Sequence, residues 1–246
     1  MNATTHMRRE IAEIPEATAR LLEGSAKELA ETGLHLKRAQ PRFVTTVARG
    51  SSDHAASFLK YAIELTAGLP VASIGPSISS IYGAKLKLAD SACLAISQSG
   101  KSPDIVAMAE GARAGGALTV ALTNTAGSPL AEASDHAIDI RAGVEKSVAA
   151  TKTFVNSAVA GLAVLAHWTG DDKLLAALSA LPEHFAKAVD CDWMGIAGEL
   201  NDGNSLFILG RGPSFAIANE AALKFKETCA MHAESYSAAE VMHGPL

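Results

Sequence analysis

The stretch Val47-Ala48-Arg49-Gly50-Ser51-Ser52 returns 162 residues later as Leu209-Gly210-Arg211-Gly212-Pro213-Ser214. In both places a β-rich apolar run ends in a glycine turn and a helical pattern follows. A second block strengthens the match: Val71-Ala72-Ser73-Ile74 through Tyr82-Gly83 is echoed by Ala233-Glu234-Ser235-Tyr236 through His243-Gly244, the last pair 161 residues apart. Two matched blocks at nearly equal spacing define a repeated α/β unit, which restricts the chain to architectures that accommodate two copies.

Short β-rich runs at Phe43–Ala48, Val71–Ile74, Ala92–Ser97, Leu118–Thr123 and Ala137–Ile140 alternate with helical patterns. That alternation predicts an α/β fold, a doubly wound parallel sheet covered by helices on both faces. Ahead of it, apolar residues at helical spacing (Ile11, Ile14, Leu21, Leu22, Leu29) predict two helices, with Pro15 marking a break or a first turn. Thr151–Trp168 reads as a long buried helix and Asp171–Leu200 as one or two more, before Ser205–Leu209 resumes as a strand. The expected organisation is a helical segment over 1–40, a first α/β unit over 41–170, linking helices over 171–203 and the start of a second unit over 204–246. Copy one continues past Gly83 into three more strands, whereas copy two reaches only Leu246. The second unit is therefore expected to be incomplete, with about two strands and an uncovered flank, from truncation or because a partner covers it.

Composition narrows the function. With 246 residues, 48% of them hydrophobic, and a net charge of −5, the chain is suited to an ordinary globular protein. Twenty-one Lys+Arg against 26 Asp+Glu give no footprint for nucleic acid. Cys93, Cys191 and Cys229 are odd in number and scattered, so neither a disulfide framework nor a zinc site is signalled, and a reducing, cytoplasmic setting is expected. The N-terminus lacks a secretory pattern, and the most apolar stretch, Ala158–Ala166, is too short to span a bilayer; no membrane role is expected.

The densest candidate site is Ser97-Gln98-Ser99-Gly100-Lys101-Ser102-Pro103, where a buried strand runs into a helix. Hydroxyls and free N–H groups at a helix N-terminus favour a phosphate, at the strand end where open α/β sheets bind ligands. Neither nucleotide-binding glycine spacing is present, so a small phosphorylated ligand is the better reading. Ser102 also reads as a plain helix cap, and Ser52, on a neighbouring turn, as either cap or ligand contact. The run Glu145–Lys152 brings small residues to a helix start and suits either close backbone approach to a ligand or a bland turn. Lys224 and Glu227 are neighbours on one helix face and could form an ordinary surface ion pair. His243, and equally His232, is an acid/base candidate by its chemistry.

The motifs S-Q-S-G-x-[ST], E-x-x-V-A-[AS]-T-K, L-G-R-G, E-x-A-L-K-x-K-E and H-A-E-x-Y-x-x-x-E-x-x-H-G-P-L occur here in that order. From Arg9-Glu10-Ile11 and Pro15 to Leu246 the chain resembles the sugar isomerase (SIS) family. It is most similar to the isomerase part of glucosamine-fructose-6-phosphate aminotransferases and to stand-alone SIS-type glucosamine-6-phosphate deaminases. The resemblance implies tandem SIS domains in which Ser52, Ser97, Gln98, Ser99 and Ser102 hold a hexose or hexosamine 6-phosphate and the Val148 backbone contacts the sugar. It further implies Glu227 as the base moving a proton between C1 and C2, Lys224 as its charged neighbour, and His243 as the ring-opening residue supplied by the second subunit of a homodimer. No metal or redox cofactor is implied.

Two departures shape the expected reaction. No glutaminase segment is expected with the leading helices, and the synthase's Schiff-base lysine would fall beyond Leu246; Ala150 stands where the synthase pattern has serine. These favour deamination of glucosamine 6-phosphate to fructose 6-phosphate and ammonia. The alternatives are the isomerase part of a glutamine-dependent aminotransferase and a non-catalytic sugar-phosphate-binding regulator, which would have no need of Glu227 and His243.

Overall fold

The first sheet is built from five parallel strands, β1 (Phe43–Val47), β2 (Val71–Ser73), β3 (Ser91–Ile96), β4 (Leu118–Thr123) and β5 (His136–Asp139), in the order β2-β1-β3-β4-β5. Their near-continuous apolar character is what burial on both faces demands. In this computed structural model, residues 5–200 and 203–244 are described. Pro245 and Leu246, which end the H-G-P-L motif, lie outside the described residues.

Three helices, not two, lead into the sheet: α1 (His6–Ala12), α2 (Ile14–Gly24) and α3 (Ala26–Ala39). Pro15 sits in the first turn of α2, where its missing N–H costs nothing, and separates α1 from α2. The second break falls at Ser25, whose hydroxyl donates to Asp139 O at 2.8 Å and so anchors the turn to the end of β5. Between the strands run α4 (Ser51–Ala67), α5 (Ser77–Ser80), α6 (Pro103–Ala114) and α7 (Pro129–Glu132), followed by α8 (Lys152–Thr169). The connection beyond is also more divided than its periodicity predicts: α9 (Asp172–Ser179), α10 (Leu181–Val189) and α11 (Met194–Leu200), with Pro182 opening α10.

Helix α8 is buried almost all round, and α2, α3 and α4 pack against it. Leu21, Leu59, Leu122, Ile138, Ile140 and Leu165 are fully buried in the resulting core. Each such side chain contributes about 1.5–3 kcal/mol relative to exposure. The approach of α3 to α8 is close because Gly33 faces it: a Cβ there would lie 2.5 Å from His167 Cβ and 2.8 Å from Trp168 N. Among the described residues no helix is long and apolar enough to cross a membrane.

The repeat is as regular in space as in sequence. Strands β6 (Ser205–Gly210) and β7 (His232–Ser237) pair in parallel, with Leu206 opposite Ala233 just as Val44 lies opposite Val71. Helix α12 (Pro213–Cys229) has the same length as α4, 17 residues, and starts from the same backbone: Gly212 at φ 60, ψ −134 and Gly50 at φ 55, ψ −133. Only glycine adopts that conformation without strain, which is why both copies keep it. The short α13 (Ala238–Val241) follows as α5 does in copy one. Helices α4 and α12 pack on each other and join the two units, while Phe207 and Leu209 of β6 remain about half exposed.

Replacing Gly33 by alanine should force α3 away from α8 and destabilise the protein by about 1–3 kcal/mol, the usual cost of overpacking. Chemical denaturation should show a lower midpoint at unchanged slope.

Candidate functional site

In a sheet ordered β2-β1-β3-β4-β5, the connections leave β1 and β3 in opposite directions, and the crevice between the carboxyl ends of those strands is where such folds bind ligands. A cleft of about 280 Å³ lies there. It is lined by Ser52, Ser97, Gln98, Ser99, Ser102, Val148 and Glu227, seven of the nine residues expected from the sequence. Arg49, Ser51, Glu145, Ser147, Ala150 and Thr153 share it.

The serine loop bridges β3 and α6. Gly100 makes its turn at φ +62, and a Cβ there would fall 2.1 Å from Ser128 Oγ, so no other residue fits. Ser97 Oγ accepts from Gly100 N at 3.3 Å and Ser99 Oγ from Lys101 N at 3.2 Å, fixing both hydroxyls. Ser102 occupies the cap position of α6, yet its side chain makes no capping hydrogen bond. Across the cleft the cap of α4 is Gly50, so Ser51 and Ser52 stand in the first turn and do not cap it. Two helix N-termini with hydroxyls thus meet at one crevice, an arrangement that attracts an anion. Arg49 adds a guanidinium, held by an ion pair with Asp104 of α6.

The wall opposite comes from the loop joining β5 to α8. Glu145 accepts hydrogen bonds from Thr151 N (3.0 Å), Thr151 Oγ1 (2.8 Å) and Thr153 Oγ1 (2.5 Å), acting as a remote cap for α8. This supplies a physical reason for the E-x-x-V-A-A-T-K pattern: the carboxylate and the two threonines close the loop, and the small residues between them leave its backbone at the cleft. Val148 is 96% exposed at the mouth.

The second unit reaches the cleft through α12. Lys224 Nζ lies 2.8 Å from Glu227 Oε2, 3.1 Å from Glu220 Oε1 and 3.2 Å from Ser51 Oγ. Glu220 Oε2 pairs with His54 Nδ1 at 2.7 Å. Lys224 and Glu227 are therefore no solvated surface pair; they belong to a chain of charges between α12 and α4. Burial alone would push the Glu220 carboxyl up, but hydrogen bonds from His54 and Ser51 and the Lys224 charge outweigh it and hold it below the ordinary carboxylate range.

His243 lies in the turn after α13, exposed, and does not line this cleft. His232 is engaged with Ser205 Oγ through Nδ1 at 2.7 Å. Cys93 is buried on β3, its thiol pushed up to about 11 by burial. Sequence reasoning left out Arg49, Glu145, His54 and Glu220 as site residues. For Glu220 a signal existed: Glu220, Lys224 and Glu227 fall at i, i+4 and i+7 of one helix.

The family profile described as "SIS domain" matches residues 39–167 and 199–246, and the chain belongs to the SIS domain family. It is 34% identical to the glutamine–fructose-6-phosphate aminotransferase of Halobacterium salinarum over 98% of this chain and 43% of that protein. The corresponding Pyrobaculum aerophilum protein is 35% identical, over 98% of this chain and 41% of its own. The chain thus spans less than half the length of these curated relatives. Among solved structures, a protein assigned as a phosphosugar isomerase from Silicibacter pomeroyi superposes with a TM-score of 0.96 at 61% identity, covering 99% of this chain and 74% of that one. The glucosamine-6-phosphate deaminase of Thermotoga maritima shares the fold, with a TM-score of 0.71 at 21% identity over 90% and 72%.

Because Glu220 titrates below the ordinary value of 4.5 in the folded protein, its ionised form contributes stability at neutral pH that is lost as pH falls below 4.5 and through the folded value. Urea unfolding from pH 7 downward should show a shallower loss of stability in Glu220→Gln than in the wild type, the two converging in acid.

Proposed function

We propose that this protein binds a hexosamine 6-phosphate in the cleft between β1 and β3 and converts glucosamine 6-phosphate and water to fructose 6-phosphate and ammonia. The observation that carries the reading is the meeting, in one crevice, of an anion seat from the first unit with the Glu227 carboxylate from the second. Ser52, Ser97, Ser99 and Ser102, with the N-termini of α4 and α6, hold the phosphate. This fixes the sugar's orientation and removes much of the entropic part of the barrier.

With the ring opened, Glu227 takes the C2 proton, leaving an enolamine, and returns a proton to C1. The resulting C2 imine adds water and releases ammonia. Lys224, 2.8 Å from Glu227, keeps the base oriented and offsets the negative charge that develops on the substrate oxygen. His243 opens the ring. Its exposed position outside its own chain's cleft supports a role in the site of a neighbouring subunit, and hence a homodimer.

A second reading is favoured by one observation: curated relatives at 34% and 35% identity are aminotransferases. In that case the same cleft runs the isomerisation in the synthetic direction. An assay of ammonia release from glucosamine 6-phosphate, coupled to detection of fructose 6-phosphate, separates the two. Deamination without glutamine is expected; glucosamine 6-phosphate formed only when an amide donor is supplied would establish the synthetic direction instead.

Two variants test the residues. Glu227→Gln should lower kcat by roughly 10²–10⁴-fold with little change in KM, the span of general acid/base catalysis. Mixing Glu227→Gln chains with His243→Ala chains should restore part of the activity, each hybrid keeping one intact site. No recovery under conditions where subunits exchange would show that His243 does not act across subunits.

A further inference from the structure

The cleft's outer wall is an eleven-residue loop, Arg141 to Thr151, with no helix or strand of its own. Such a loop keeps one shape only if its backbone groups are claimed from outside. Asn124 claims its start, accepting from Ala142 N and donating to Gly143 O, and the rest is claimed largely by the leading helices α1 and α2, neither of which lines the cleft.

Glu10, on α1 and 5% exposed, accepts hydrogen bonds from Lys146 N at 2.5 Å and from Ser147 N at 3.1 Å. One helical turn later Glu13 pairs with Lys152 Nζ at 2.5 Å, and the same ammonium, 1% exposed, donates to Val144 O at 2.9 Å. Further along, Asn156 Nδ2 donates to Ala17 O at 3.0 Å and to Ile140 O at 2.8 Å, tying α2 to both ends of the loop. The bonds of Glu10 and Glu13 involve a charged partner, and both land next to the stretch that forms the wall.

We propose that Glu10 and Glu13 are positioning residues: they clamp the 141–151 loop so that the Ser147 and Val148 backbone is preset for the sugar, making affinity for the substrate's carbon frame depend on helices that never touch it. The anion seat on the serine loop has its own supports in Gly100 and α6 and meets the wall at its start, through Asn124, which bonds Gln98 O by its N–H and Ala142 and Gly143 by its side chain. The clamp acts farther along, at 146–148, so it should govern sugar recognition and leave phosphate recognition alone. The inference rests on the functional reading above, and its test separates the two.

Glu10→Ala and Glu13→Gln are compared with the wild type by calorimetric titration with glucosamine 6-phosphate and with inorganic phosphate, and by hydrogen exchange of the free protein over residues 142–150. Glu10→Ala should bind glucosamine 6-phosphate roughly tenfold or more weakly, the scale of losing a charge-assisted hydrogen bond. Phosphate affinity should hold, and exchange at Lys146 and Ser147 should rise while β1 and β3 stay protected. Glu13→Gln should act in the same direction. Equal weakening toward both ligands would reveal general loss of fold and overturn the clamp, as would unchanged exchange at 146 and 147. If Glu10→Ala does not fold, Glu10→Gln, which keeps the volume and one acceptor, is read by the same criteria. A wild type that binds phosphate but not glucosamine 6-phosphate would refute the substrate assignment, and the exchange result alone would then decide the clamp.

Discussion

A carboxylate withdrawn from water must be matched by positive charge or hydrogen-bond donors, and in this protein the requirement falls on Glu220. Its side chain is 7% exposed where α12 meets α4. His54 hydrogen-bonds one of its oxygens, and the Lys224 ammonium faces the other as an ion pair at 3.1 Å. Removing one partner of such a pair costs about 3–5 kcal/mol, because the remaining charge is left stranded. The two units are therefore docked at a register that keeps all three groups in reach. Lys224 is shared with Glu227 and Ser51, so the register that satisfies Glu220 also delivers Glu227 to the cleft. Docking and placement of Glu227 are one constraint.

This arrangement explains why the cleft is assembled from distant parts of the chain without a dedicated scaffold. The parallel sheet opens a crevice where the connections diverge, the serine loop fills one side, and the leading helices set the other through backbone hydrogen bonds. The two walls meet at Asn124, whose N–H donates to Gln98 O and whose side chain holds Ala142 and Gly143, and each has further supports of its own. The serine loop depends on a glycine turn against Ser128, whereas the 141–151 loop depends on carboxylates more than 130 residues earlier in the chain.

Much of this was legible in the sequence, and the reasons differ by element. The strands were visible because buried parallel strands are continuous apolar runs, and the repeat because its glycine turns have no substitute. Seven cleft residues followed from the serine-rich strand end and from family motifs. What stayed hidden needed three dimensions. Nothing in the local pattern around His54 or Glu10 says that a partner waits at Glu220 or at Lys146 N. The divisions at Ser25 and within 171–200 were missed because helical periodicity runs across a break whenever both pieces bury the same face. Lys224 and Glu227 looked like a surface pair because spacing carries no information on what packs over it.

The repeat also shows where its two copies have parted. The positions of α4 that correspond to Glu220, Lys224 and Glu227 are Phe58, Ala62 and Leu65, and the counterpart of Ser52 is Ser214. Ser214 Oγ is spent within its own turn, donating to Arg211 O at 2.8 Å and accepting from Arg211 N at 2.9 Å. The first copy leaves its hydroxyls open to the cleft and has apolar residues at the positions where the second carries Glu220, Lys224 and Glu227; the second closes its turn on itself. A division of labour of this kind cancels the internal symmetry at the level of chemistry while the backbone preserves it. Among the described residues the two units form one such cleft between them, to which each copy brings what the other lacks.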